Sequence, residues 1–164
     1  RYRIKNFAIC IIEYDSPSFW RFVFWDCLDT GIRKYTTIIQ IVDKINNFLT
    51  NYIGGYLDTL DMAVIEKQPG KNMKMERIMM ASISFFRLKN IEVVLVRSDK
   101  KFTCCPKTYK LRKLKSIELT EERILDPRCT VPNRDLLPWF RSVSKKDDLS
   151  DAFLIIFCYI NRWE

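Results

Sequence analysis

Three aspartates near the C-terminal end of the chain have the residue type and spacing of a metal-binding site. Asp147, Asp148 and Asp151 fall within one arc of about 100° when they are placed on a helix. Three like charges on one helical face repel one another, so a positive charge is expected to offset them. Carboxylates, water and substrate phosphate oxygens are the ligands that Mg²⁺ prefers. Paired ions of this kind promote hydrolysis of a phosphodiester.

An ordinary structural explanation covers part of this row. Ser144 can cap a helix that has Asp147 three residues further on, and acids near a helix N-terminus are favoured by the helix dipole. This explanation accounts for Asp147 and partly for Asp148. It accounts least for Asp151, which lies past the first turn and precedes the apolar run AFLIIF. A bound cation is the usual reason to place an acid at such a position.

A fourth acid, Glu66, closes an apolar run in the segment VIEKQPG. An acid at the end of a buried strand, just before a loop, is well placed to join a functional site. The alternative is an ordinary surface acid at a strand terminus, and that alternative is favoured when Glu66 is considered alone.

The charge balance favours a polyanionic partner. The chain has 28 Lys and Arg against 20 Asp and Glu, a net charge of +8. Nucleic acid is the first partner that such a balance suggests, and an anionic membrane surface is the second. A protein that is basic for no functional reason is the remaining alternative. A basic chain whose acids gather in one cluster points to nucleic-acid cleavage.

The residues that the chain lacks exclude several kinds of site. There is no histidine, so His-based triads, His general bases and His metal ligands are excluded. None of the six cysteines forms a C-x-x-C pair, which makes a zinc ribbon improbable, and reduced thiols suit an intracellular protein. The longest apolar run, Ala152–Ile160, is shorter than the roughly 18 residues that span a bilayer, so no membrane-spanning helix is expected. A membrane-surface role is the least favoured, because no helix pairs a basic face with a lipid-facing one.

Hydrophobic patterning predicts the elements that must position these acids. Strands are expected at Ile4–Tyr14, Trp20–Leu28, Leu60–Glu66 and Ile91–Val96. Helices are expected at Tyr35–Tyr52, Met73–Leu88, Leu119–Leu125 and Lys146–Tyr159. Between them the pattern predicts a basic segment at Phe102–Ser116 and a loop at Arg128–Trp139. The order predicts one α/β domain over residues 1–164, with a mixed sheet flanked by helices.

Three motifs resemble those of the poxvirus-type Holliday junction resolvases, which are related to the RuvC-type bacterial and yeast mitochondrial resolvases. Ile4–Ala8 (IKNFA) is similar to the end of the family's D-x-G-x-K-N-x-A segment. Val64–Pro69 (VIEKQP) is similar to its E-x-Q-P strand end, and Lys145–Ala152 (KKDDLSDA) to its K-x-D-D-x-x-D-A/S helix. The resemblance covers nearly the whole chain, and the last motif is the most specific.

The resemblance implies an RNase H-like fold and a homodimeric, Mg²⁺-dependent endonuclease that cuts four-way DNA junctions by paired symmetric nicks. Glu66, Asp148 and Asp151 would be catalytic and would bind two ions, with Asp147 as a neighbouring or alternate ligand, and Mn²⁺ would be able to replace Mg²⁺. A viral member of the family would act in the host cytoplasm. The implied nucleic-acid contacts are Lys5, Asn6, Lys67, Gln68, Lys107, Lys110, Arg112, Lys113, Lys115, Lys145 and Lys146.

The chain departs from the family's pattern at its first residues. The family's first catalytic Asp lies four residues before the Lys of K-N, and Arg1 occupies that position here. The family's first strand, which lies at the sheet centre, is missing, so upstream sequence is expected to be absent or the start to be altered. If Arg1 replaces the Asp, its charge competes with Mg²⁺ and weakens activity. The alternative function is therefore a catalytically degenerate RNase H-like protein that binds branched DNA without cutting it. An enzyme of the same fold that acts on RNA or on flaps is a third possibility.

Overall fold

The computed structural model describes residues 3–4, 6–16, 19–68, 70, 72–101, 108–126 and 135–160. The chain divides into two compact units. The first unit comprises residues 1–5 and 29–98, and the second comprises residues 6–28 and 99–164. The single domain expected from the sequence stays a prediction. Three residues that the sequence singled out, Arg1, Lys5 and Lys107, lie outside the described residues.

The described part of the chain begins with four strands, continues with helices and strands in alternation, and ends with three successive helices. The strands are β1 (Arg3–Ile4), β2 (Phe7–Ser16), β3 (Phe19–Leu28), β4 (Ile32–Arg33), β5 (Met62–Lys67) and β6 (Glu92–Arg97). The helices are α1 (Ile38–Ile53), α2 (Met73–Leu88), α3 (Tyr109–Ile124), α4 (Leu136–Ser142) and α5 (Lys146–Ile160). Short 3₁₀ turns occupy Gly54–Thr59 and Ser98–Lys101. Among the described helices, none has the length and apolar character that crossing a bilayer requires.

The first unit contains a parallel strand pair, β5 and β6, joined through α2. Their register runs from Met62 opposite Glu92 to Lys67 opposite Arg97. Helix α1 packs against α2. It begins with a capping box in which the Thr37 side chain accepts a hydrogen bond from the Gln40 amide and Gln40 Oε1 accepts one from the Thr37 amide. The buried face of α1 shows the helical spacing read from the sequence: Ile41, Ile45, Phe48, Leu49 and Ile53.

The second unit is built on an antiparallel hairpin of β2 and β3, against which α5 packs. Helix α3 packs on α5, and α4 follows α3 in the chain. The core is aromatic: the ring of Trp25 stacks on Phe140 at a centroid distance of 5.0 Å and on Phe22 at 4.5 Å. Trp25 Nε1 also donates a hydrogen bond to the carbonyl oxygen of Leu149, at 3.0 Å. That bond fixes the first turns of α5 against β3.

Replacing Trp25 with Phe is expected to lower the free energy of unfolding by about 1–3 kcal/mol, because it removes this buried hydrogen bond and part of a packed ring. Urea unfolding followed by circular dichroism measures the change. Trp139→Phe is the matched control, since Trp139 is 36% exposed and its replacement is expected to cost less than about 1 kcal/mol. Equal losses in the two variants would show that the bond to Leu149 does not anchor the helix.

The α/β class predicted from the sequence is confirmed, but the sheet differs from the expectation. The described strands form three two-stranded sheets, β1 with β4, β2 with β3 and β5 with β6, where one mixed sheet was expected. No described strand pairs with the second edge of β2 or of β5.

More than half of helix α3 was not predicted from the sequence. The sequence analysis placed a basic segment at Phe102–Ser116 and began a helix only at Leu119, whereas the helix begins at Tyr109 and is capped by the Thr108 side chain. Two of its three buried residues, Ser116 and Thr120, are polar, so an apolar period is hardly visible. Part of the expected loop at Arg128–Trp139 likewise belongs to α4.

Candidate metal and nucleic-acid site

The three aspartates lie where the sequence placed them, on the first two turns of α5. We call Asp147, Asp148 and Asp151 the acidic row; all three are partly buried. The helix begins at Lys146 as expected, but the residue before it, Lys145, occupies the position of the cap expected at Ser144: the Lys145 carbonyl accepts a hydrogen bond from the Leu149 amide at 3.2 Å. Leu149 and Ser150, which lie between Asp148 and Asp151 in the sequence, are fully buried. Their packing in the core fixes which face of the helix the aspartates occupy.

Asp147 forms an ion pair with Lys113 of α3. Burial acts to raise the pKa of Asp147, but the hydrogen bond and the charge of Lys113 outweigh it, so the pKa of this carboxyl is lowered. Burial acts to lower the pKa of Lys113, and its hydrogen bonds with Asp147 and Tyr109 outweigh that effect and raise it. Both groups therefore stay charged over the physiological pH range.

Asp151 is held by a second lysine, which the sequence analysis did not single out. Lys101 Nζ lies 2.8 Å from Asp151 Oδ1, and the Lys101 side chain is only 4% exposed. Ser116 Oγ, on α3, donates a hydrogen bond to the same oxygen at 3.0 Å. The positive charge that the sequence led us to expect beside the row is therefore supplied, for two of its three members, by the chain's own lysines.

Asp148 differs from its two neighbours. Within the described residues it forms no ion pair, and burial, followed by the charge of Asp147, raises its pKa. Cys27 of β3 lies beside it: burial, then the charges of Asp148, Asp26 and Asp147, raises the pKa of the Cys27 thiol to about 12. Asp148 is thus a partly buried carboxyl whose pKa is raised by burial and by Asp147, while the charges of Lys113 and Lys145 act to lower it.

Glu66 lies at the second-last position of β5, opposite Val96, and is partly buried. Its carbonyl oxygen accepts a hydrogen bond from Gln68 Nε2 at 3.4 Å. Glu66 belongs to the first unit and the acidic row to the second, so their meeting around an ion stays a prediction. Among the described residues, no group of three or more Cys, Asp or Glu side chains is arranged to hold a metal ion.

The cations expected to contact nucleic acid differ in their surroundings. Lys67, Lys110 and Lys145 are exposed, and Asn6 and Gln68 are partly buried. Three lysines already have intramolecular partners: Lys113 pairs with Asp147, Lys115 with Glu118, and Lys146 donates to the Arg141 carbonyl oxygen. Arg112 is partly buried, and within the described part of the chain its Nε makes no hydrogen bond.

The N-terminal half of α3 carries an unfavourable charge distribution. Lys110, Arg112, Lys113 and Lys115 lie there, and the first turn has no acid. The positive end of a helix dipole disfavours cations at this position. Asp147 offsets the charge of Lys113. Glu118 offsets the charge of Lys115. An anionic ligand would offset the charges of Lys110 and Arg112, so the start of this helix violates a local preference in the way that functional sites do.

Sequence reasoning missed Lys101, Ser116 and Cys27 as neighbours of the acidic row. Lys101 and Ser116 lie on elements far from α5 in sequence, and no spacing rule connects them to it. Cys27 is partly buried and lies in the mostly apolar strand β3, so its sequence neighbours do not connect it with the acids of α5.

Comparisons with protein-family models, with curated proteins and with solved structures find no match for this chain.

Proposed function

We propose that this chain is a Mg²⁺-dependent, structure-specific endonuclease of the RNase H-like fold that resolves four-way DNA junctions by paired symmetric nicks. The observation that carries the proposal is the acidic row on α5, packed beside the basic N-terminal half of α3 within one unit. Asp148, the middle member of the row, forms no ion pair with any residue that the structure describes. Acids for a hard cation and cations for phosphates then lie together on two contacting helices.

The proposed roles follow from the chemistry of the side chains. Glu66, Asp148 and Asp151 would hold two Mg²⁺ ions, with Asp147 as a neighbour, and Mn²⁺ would be able to replace them. The bound ions would lower the pKa of the attacking water and neutralise charge on the phosphodiester. The α3 cations bind the DNA backbone, which makes affinity fall with salt. A homodimer matches the two-fold symmetry of a junction.

The RNase H-like arrangement is part of the same proposal. It rests on the order of the elements and on the motif resemblance, in which the family's first strand lies at the sheet centre. Each observed pair, β2–β3 and β5–β6, keeps an edge that no described strand occupies. Such edges are the places where a further strand pairs.

One observation favours a second candidate, a degenerate protein that binds branched DNA without cutting it. Lys113 and Lys101 already neutralise two of the three aspartates. A row balanced in this way needs no metal ion to relieve its repulsion. The basic half of α3 serves this candidate equally well.

A cleavage assay separates the two candidates. The chain is incubated with a labelled four-way junction and Mg²⁺, with EDTA in a parallel reaction, and the products are resolved on a denaturing gel. Paired nicks at symmetric positions, which EDTA abolishes, are the expected result. A junction that is shifted on a native gel but never nicked would identify the binding protein. Forked DNA and RNA–DNA hybrids in the same assay test a different substrate within the fold.

Replacing Lys110 with Ala is expected to weaken junction binding about threefold at physiological salt, because the exposed ammonium contacts a phosphate. The slope of log affinity against log salt concentration should fall by about one. Lys89→Ala removes the same charge from an exposed position after α2 in the first unit and should leave both quantities unchanged. Anisotropy titrations at several salt concentrations measure them, and identical slopes for the two variants would contradict a role for α3.

A further inference from the structure

The side chain of Lys101 is almost fully buried, and its Nζ lies against a carboxylate. Lysines are rarely buried unless they are paired, because removing an ammonium from water is costly. Its partner is Asp151, 2.8 Å away, whose side chain is 34% exposed while that of Lys101 is 4% exposed. The ammonium therefore approaches the carboxylate from inside the protein, and the carboxylate keeps part of its surface toward solvent.

Residues of α3 and α5 hold the contact between Lys101 and Asp151 in place. Ser116 Oγ on α3 and Lys101 Nζ both lie on Asp151 Oδ1, at 3.0 Å and 2.8 Å. Cys158, two turns further along α5, donates its thiol to the Lys101 carbonyl oxygen at 3.5 Å. Ser116 is 1% exposed, so it is part of the core between α3 and α5. Lys101 cannot leave Asp151 without disturbing this packing.

We propose that Lys101 is an internal counter-ion that competes with a divalent metal ion for Asp151. This inference rests on the proposed function, because it assumes that the acidic row binds metal. A dication on Asp151 would lie within a few ångströms of the ammonium, and their repulsion is strong in a partly desolvated site. Lys101 therefore weakens metal binding at Asp151.

A purely structural role for Lys101 is the alternative. In that role the ion pair holds the 3₁₀ turn Ser98–Lys101 against α5, and its removal would loosen the acidic row and weaken metal binding. The two roles predict opposite changes in metal affinity, so affinity measured without DNA distinguishes them.

The experiment measures Mn²⁺ binding by electron paramagnetic resonance, in which the signal of free Mn²⁺ is lost on binding. Lys101→Met removes the charge and keeps an apolar side chain of similar length. We expect it to bind Mn²⁺ at least tenfold more tightly than the unaltered chain. Lys100→Met removes the same charge from an exposed neighbour in the same turn and should change the affinity less than twofold. Unchanged or weaker binding by Lys101→Met would overturn the proposal.

A second variant keeps the proposal testable if Lys101→Met does not fold. Lys101→Gln removes the charge but keeps an amide that can donate to Asp151, and thermal unfolding identifies which variant is folded. Tighter binding is expected from it as well, and unchanged binding overturns the proposal. Junction cleavage is assayed separately. Cleavage by the unaltered chain without tighter binding in the variants would refute this inference alone, whereas tighter binding without any cleavage would refute the proposed function alone.

Discussion

Asp148→Asn is expected to lower the rate of junction cleavage by about a hundredfold or more, because it removes a carboxylate charge where the ions would bind. Asn keeps the shape of the side chain, so the affinity for the junction should change by less than about twofold when it is measured in EDTA. Single-turnover cleavage in excess enzyme and anisotropy titration of the junction measure the two quantities.

The direction of the Asp148 pKa shift predicts how Asp148→Asn changes the thermal stability of the chain. The pKa of Asp148 is raised in the folded chain, first by burial and then by the charge of Asp147. A carboxyl that binds its proton more tightly when folded opposes folding once the pH rises above its unfolded pKa. Asp148→Asn should therefore unfold at the same or a higher temperature than the unaltered chain at pH 7. The difference should vanish below about pH 4, where the carboxyl is protonated in both states.

The matched control is Glu122→Gln, which removes one negative charge from an exposed position on α3. It should leave the cleavage rate unchanged. Full activity of Asp148→Asn would show that this carboxylate binds no catalytic ion, and the nuclease proposal would then lose the member of the acidic row on which it depends most.

The helices that the sequence predicted best are those whose buried faces are mainly apolar. Helix α2 spans Met73–Leu88 as expected, and α5 begins at Lys146 as expected. Their buried residues repeat at helical spacing, so periodicity alone locates them. Helix α3 lacks such an apolar period, because Ser116 and Thr120 occupy its buried face. Strand pairing was harder to predict, since hydrophobic runs indicate strands but not which edges meet.

The acidic row could be predicted because its members lie within five residues of one another on one helix, where spacing determines direction. Its partners could not be predicted. Lys113 lies on another helix and Lys101 in a 3₁₀ turn, and each meets the row through tertiary packing. The sequence analysis correctly expected a positive charge beside the row and attributed it to a metal ion. For Asp147 and Asp151 the structure provides ammonium groups, and the metal ion stays a proposal.

Asp151→Asn is expected to abolish cleavage, and it should have a second effect that distinguishes it from Asp148→Asn. Removing the Asp151 charge leaves the Lys101 ammonium buried and without its counter-ion. Breaking a buried ion pair in this way typically costs about 3–5 kcal/mol, and the partial exposure of Asp151 reduces the expected loss to about 2 kcal/mol. Urea unfolding at pH 7 measures this loss, which Asp148→Asn should not show.

Adding Lys101→Met to Asp151→Asn should restore most of the lost stability, because no charge then remains buried without a partner. The double-mutant cycle isolates the pair, since the two single substitutions and their combination are compared on one folded background. Cleavage should stay absent in the double variant, because restoring the packing does not restore the carboxylate. If the double variant were less stable than Asp151→Asn alone, the loss would come from the hydrogen bond with Ser116 and from packing, and the ion pair would not be what joins the 3₁₀ turn to α5.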